Sequence, residues 1–132
     1  MERVYTKPLL DKLGVKPGSR VAILGVDDAN FRSLVADRTT DVTEGQPKPG
    51  TDLIFLAADS VDQLVPIGDL QRSLKPNGAI WVVSRKGKAA TLRDVVIMDA
   101  AKSVGLVDNK VVSFSATHTT IRLVIPLARR AR

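Results

Sequence analysis

Apolar residues along this chain gather into short continuous runs separated by polar turns, and the best organised stretch is Lys16 to Phe31, KPGSRVAILGVDDANF. A Pro-Gly turn within Val15 to Arg20 leads into Val21 to Leu24, apolar at every position, as a parallel strand covered on both faces should be. Gly25 and the pair Asp27 and Asp28 follow, and either aspartate can cap a helix whose inward face is Phe31, Leu34 and Val35. Strand, tight turn and helix in that order open a doubly wound α/β sheet, in which ligands sit beyond the carboxyl end of the strand.

The flanking segments extend the same pattern. Before the first strand, Thr6 to Leu13 reads as a short helix with Thr6 as cap, Pro8 in its first turn and Gly14 just past its end. After the first long helix the apolar signal fades, leaving one short strand around Asp41 to Thr43 and a turn-rich connector at residues 45–50. Leu53 to Ala58 is the second buried strand. Ser60 then caps a segment carrying Val61, Leu64 and Val65, Pro66 interrupts it, and a further helix places Ile67, Leu70 and Leu74 at helical spacing.

Lys75 to Gly78 reads as a turn: Pro76 fixes φ, while Asn77 and Gly78 tolerate positive φ. Ala79 to Ser84 is the third buried strand, with Trp81 in the core, and Arg85 to Lys88 is a basic loop at its carboxyl end. Thr91 and Asp94 have the spacing of a capping box. They start the longest helix, to about Val104, with Leu92, Val95, Val96 and Met98 inward and Gly105 closing it. Two last strands, Lys110 to Ser115 and Thr119 to Pro126, flank the turn Ala116 to His118 and form an antiparallel hairpin. Residues 127–132 are expected to be a flexible basic tail.

At 132 residues and 44% hydrophobic content the chain is the size of one domain, spanning residues 1–132. No apolar run is long enough to cross a membrane, and the polar N-terminus lacks a signal-peptide core, so a cytoplasmic protein is expected. With no cysteine and one histidine, thiolate chemistry, disulfides and a histidine-cluster metal site are excluded. The formal charge of +6 is unevenly placed: residues 1–66 hold 8 Lys/Arg against 10 Asp/Glu, and residues 67–132 hold 12 against 4. Basic character belongs to the second half. The hairpin sends the terminal arginines to the opposite end of the sheet from Arg85 to Lys88, so no continuous track for nucleic acid is expected.

The succession RVAILG, TDLIFLA, LQRSLKPNGAIWVVS, a helix ending in SVGL and a final hairpin resembles the class I S-adenosylmethionine-dependent methyltransferase fold. The opening TKPLLDKLGVKPGSRVAILG is similar to small uncharacterised bacterial domains of that type. The resemblance implies a truncated Rossmann-like three-layer α/β sandwich, with a mostly parallel sheet of five or six strands. It also implies a cofactor loop after the first strand, built on an acidic residue and a GxGxG turn. Here Gly25 matches the first glycine, while Asp27, Ala29 and Ile23 stand in place of the other two glycines and the acid. The ribose-binding acid implied by the resemblance falls on Glu44, with Asp41 a poorer match, and no room is left for the family's third strand.

The candidate cofactor-binding residues are therefore Gly25, Asp27, Asp28, Glu44 and Asp59, the last at the carboxyl end of the second buried strand. Arg85, Lys86 and Lys88, ahead of a helix N-terminus, are the candidate anion-binding set. His118 reads as a solvated turn residue, and no catalytic residue or metal site is expected. The expected role is a non-catalytic binding or assembly module, with no cofactor and with homodimerisation through the exposed edge left by the missing strand. The alternatives are a minimal S-adenosylmethionine-dependent methyltransferase and a binder of phosphate ligands or nucleic acid through Arg85 to Lys88.

Overall fold

The computed structural model describes residues 8–130. Six strands form one sheet in the order β2-β1-β3-β4-β6-β5. They are β1 (Val21–Leu24), β2 (Val42–Glu44), β3 (Thr51–Ala57), β4 (Leu74–Arg85), β5 (Val107–Ser113) and β6 (His118–Val124). The pairs β1–β2, β1–β3 and β3–β4 are parallel, whereas β6 runs antiparallel to both β4 and β5. This is the mostly parallel α/β sheet with a C-terminal antiparallel pair that the apolar runs predict.

Alternation along β1, β3 and β4 explains why those runs have no polar positions. Val21, Ile23, Leu53, Phe55, Ala79, Trp81 and Val83 pack on one face against α1 (Leu9–Leu13) and α2 (Ala29–Arg38), through Leu10, Leu13, Phe31 and Val35. Ala22, Ile54, Leu56, Ile80 and Val82 pack on the other against α3 (Ile67–Leu70) and α4 (Asp94–Ser103), through Ile67, Leu70, Ile97 and Ala101. The result is helix, sheet, helix in three layers. Trp81, fully buried, donates its indole N–H to the Leu13 carbonyl at 3.1 Å, which fixes α1 over the sheet.

Several sequence expectations are corrected. The Thr6 cap lies outside the described residues, and α1 begins at Leu9 with Pro8 at its N-cap. Leu34 is 38% exposed, so α2 buries only Phe31 and Val35. Leu74 belongs to β4 and not to a helix, because it pairs with Thr51. The Thr91–Asp94 capping box does not form: α4 starts at Asp94, Arg93 is its N-cap, and the Thr91 hydroxyl donates to the Asp59 carbonyl at 2.6 Å. Val95 is 49% exposed, and Ile97 and Ala101 take the inward positions instead.

At the C-terminus, β5 starts at Val107, and the hairpin turn lies at residues 114–117, so that His118 is the first residue of β6. The tail is anchored up to residue 130. Leu127–Arg129 forms a 3-10 turn, Arg129 donates to the Gly105 carbonyl, and Arg130 Nε donates to the Ile125 carbonyl at 3.0 Å. Among the described residues no helix is long and apolar enough to cross a membrane.

Candidate functional site

Because β1, β3 and β4 run parallel, their carboxyl ends open on the same side, and antiparallel β6 begins there as well, with His118 opposite Arg85. A cavity of about 480 Å³ lies at this end. Gly25, Val26, Asp27 and Asp28 form one wall, Asp59 and Gln63 a second, and Arg85, Thr117 and His118 a third, over a floor that includes Val83 and Phe114.

Gly25 turns the chain out of β1 at φ +77, a left-handed conformation that strongly favours glycine. Asp28 caps α2, its Oδ1 accepting the Phe31 N–H at 2.9 Å, while Asp27 beside it is exposed to the cavity side of the loop. Asp59 ties the strand ends together: Oδ1 accepts the Arg85 backbone N–H at 2.9 Å, and Oδ2 lies 3.9 Å from Arg85 Nε. Its own N–H donates to Gln63 Oε1 at 2.6 Å. His118 Nδ1 is 2.7 Å from the Thr117 hydroxyl. Among the described residues three carboxylates thus share the cavity with His118 and with one arginine, already engaged by Asp59. Over a floor that includes the apolar Val83 and Phe114, this arrangement suits a small polar ligand carrying an amine.

Four of the five candidate cofactor residues, Gly25, Asp27, Asp28 and Asp59, line this cavity together, and Arg85 joins them. Glu44 does not. It is held at 2.5 Å by Arg32 Nη2, while Arg32 Nη1 donates to the Val26 carbonyl at 3.2 Å. One arginine on the second turn of α2 therefore bridges the loop after β1 to the end of β2.

The anion set is divided. Lys86 Nζ reaches Ser113 Oγ at 2.7 Å, and a separate cavity of about 520 Å³ is lined by Arg85, Lys86, Arg93 and Asp94 but not by Lys88. Sequence reasoning missed Arg32 and placed His118 in a solvated turn. The missed signal for His118 was the length of the hairpin, which returns the chain to the carboxyl ends of the parallel strands. Among the described residues no three His, Cys, Asp or Glu side chains gather as a metal site.

The strand order and the crevice at the carboxyl ends define a Rossmann-like fold of the class I methyltransferase type. Residues 10–127 match the family described as Protein of unknown function (DUF3052), and the chain belongs to that family. Solved structures agree on the fold. A Sulfolobus solfataricus protein assigned as a type 11 methyltransferase superposes with a TM-score of 0.68 at 14% identity, covering 94% of this chain and 93% of that one. The N-methyltransferase NodS of Bradyrhizobium japonicum gives 0.63 at 14% identity, covering 89% and 92%. Aeropyrum pernix fibrillarin, whose structure holds natively bound S-adenosyl-L-methionine, gives 0.58 at 15% identity, covering 83% and 68%. No curated protein matches the sequence.

Proposed function

We propose that this protein is a non-catalytic binding module on a methyltransferase-like scaffold, its crevice adapted from a cofactor site to a different small polar ligand. The observation that carries this reading is Arg32. It engages both Glu44, the residue in the position of a ribose-binding acid, and the Val26 carbonyl of the loop that would face the cofactor. Asp27 adds a side chain and a negative charge where a carboxylate-bearing ligand would approach the loop, so the degenerate glycine pattern acts in the same direction. An excess of carboxylates, with Arg85 already engaged by Asp59, favours an amine-bearing ligand.

A second reading, a minimal S-adenosylmethionine-dependent methyltransferase, is favoured by one feature: Gly25 keeps its left-handed turn at the mouth of the crevice. Calorimetric titration with S-adenosylmethionine and S-adenosylhomocysteine separates the two. No saturable heat is expected at millimolar ligand. Micromolar affinity that is lost on Glu44→Gln would replace the first reading with the second.

A further inference from the structure

At the end of the sheet opposite the crevice lies a cavity of about 560 Å³ whose wall includes Lys12 and Lys16 from the end of α1 and the turn after it, and Lys110 and Arg122 from β5 and β6. Lys110 and Arg122 are register partners and project from one face. Arg122 is also the partner of Trp81 across β4, so this is the face that α1 covers. Lys110 Nζ reaches back to the Lys12 carbonyl at 3.2 Å, which joins the strand cations to those of the α1 turn.

Among the described residues two carboxylates also line the cavity, but both are engaged by other cations. Asp11 pairs with Arg38 at 2.5 Å, and Asp52 pairs with Lys75 at 3.1 Å while accepting the Arg20 backbone N–H at 2.8 Å. Among the described residues no ion pair holds Lys12, Lys16, Lys110 or Arg122. Among the described residues the half-buried Arg122 side chain makes only a 3.5 Å approach to Asn109 Oδ1. Burial, and then the neighbouring charge of Arg130, hold its pKa below the usual arginine value. A guanidinium withdrawn from water beside like charges and without a carboxylate is a cost to the fold that a bound anion would relieve.

We propose that this cavity binds a small polyanion carrying two or more phosphate groups, gripped by Arg122 and Lys110 from the strands and by Lys12 and Lys16 from the α1 turn. Four cations suit several negative charges, and a guanidinium fork suits phosphate oxygens. The volume is that of a small-molecule site. Among the described residues no aromatic side chain lines it, so none of them stacks a base, and Arg85 and Lys86 lie at the far end of the sheet, so the two basic clusters do not join into one track for a long nucleic acid.

The test uses the full chain, with inorganic tripolyphosphate as the probe at low ionic strength. Binding is followed by calorimetry and by the nuclear magnetic resonance signal of the Trp81 indole N–H, which reports on the end of α1. Saturable one-to-one binding that shifts this signal and weakens with salt is expected. Orthophosphate should bind at least about tenfold more weakly. Arg122→Gln, and separately Lys12→Gln with Lys16→Gln, should each weaken binding about tenfold or more; Lys16 is exposed and Lys12 half-buried, and neither side chain holds an ion pair among the described residues. Lys86→Gln with Lys88→Gln should weaken it clearly less than the Lys12 and Lys16 pair does, since Lys86 lines a separate cavity at the far end of the sheet.

Absence of saturable binding, equal affinity for orthophosphate, or equal loss in the remote lysine pair would each overturn the proposal. A single-stranded oligonucleotide that binds more tightly with length and depends on both clusters would assign the surface to nucleic acid instead.

Discussion

At the scale of single residues, two polar groups carry predictions of opposite kind. Ser84 sits in β4 opposite Thr119, and its buried Oγ has no hydrogen-bond partner among the described residues. Thr120, equally buried on the next strand, solves the same problem by donating to the Val82 carbonyl at 3.0 Å. An unpaired buried hydroxyl costs about 1–3 kcal/mol, so Ser84→Ala should leave stability unchanged or raise it by about 1 kcal/mol in urea denaturation. Asp41 has the reverse sign. Its hydrogen bond from Arg20 Nε at 2.8 Å, more than the added charge of Arg20 and Lys48, holds its pKa below the usual carboxylate value against an opposing effect of burial. A depressed folded pKa gives stability that is present above the unfolded value near about 4 and lost as pH falls through the folded one. Melting temperatures measured below about pH 4 should therefore fall less steeply in Asp41→Asn than in the parent chain. Of the residues that matter locally, the Asp28 cap was legible because its chemistry is local. Arg32 was not, because both of its partners are set by the sheet.

At the scale of elements, the least expected is β4. From Thr51 to Leu53, β3 advances two residues, while its partner advances five, from Leu74 to Ala79, so three extra residues bulge out of β4. Lys75, Pro76 and Asn77 fill the bulge and are exposed, and Pro76 is tolerated there because a bulge needs no ladder N–H from it. Gly78 closes it for a different reason from the one its turn-like neighbours suggest. Its φ is not positive; a Cβ there would stand 2.8 Å from the Asp52 carbonyl oxygen and 3.1 Å from that of Thr51. Backbone cannot give way as a side chain can, so Gly78→Ala should cost about 1–3 kcal/mol, read as a lower urea midpoint with an unchanged slope. The sequence shows the turn residues but not the pairing of Leu74 with Thr51 that continues the strand before them. The same limit explains α4, where Thr91 and Asp94 have capping spacing but Asp59 takes the threonine hydroxyl.

At the scale of the molecule, continuous apolar runs announced β1, β3 and β4, because strands buried on both faces have no polar positions to confuse the pattern. What no run could announce was the pair of cavities at the two ends of the sheet, each built from segments distant in sequence. The sheet order also decides how its edges behave. The outer edge next to β1 is β2, as the missing strand implies, but it is only three residues long. Val21 N–H donates to the Asp41 carbonyl and Gly45 N–H to the Ile23 carbonyl, so by alternation the N–H groups of Val42 and Glu44 point outward. Two donors are a small ladder, and the flanking Arg20–Asp41–Lys48 and Arg32–Glu44 clusters place charge at both ends, as protected edges do. The other edge, β5, is seven residues long but broken by a bulge between Asp108 and Lys110. Light scattering should therefore show a monomer at concentrations well above those of the binding experiments. A dimer that grows with concentration and dissolves on Val42→Pro, which removes one outward N–H, would instead establish β2 as an assembly edge.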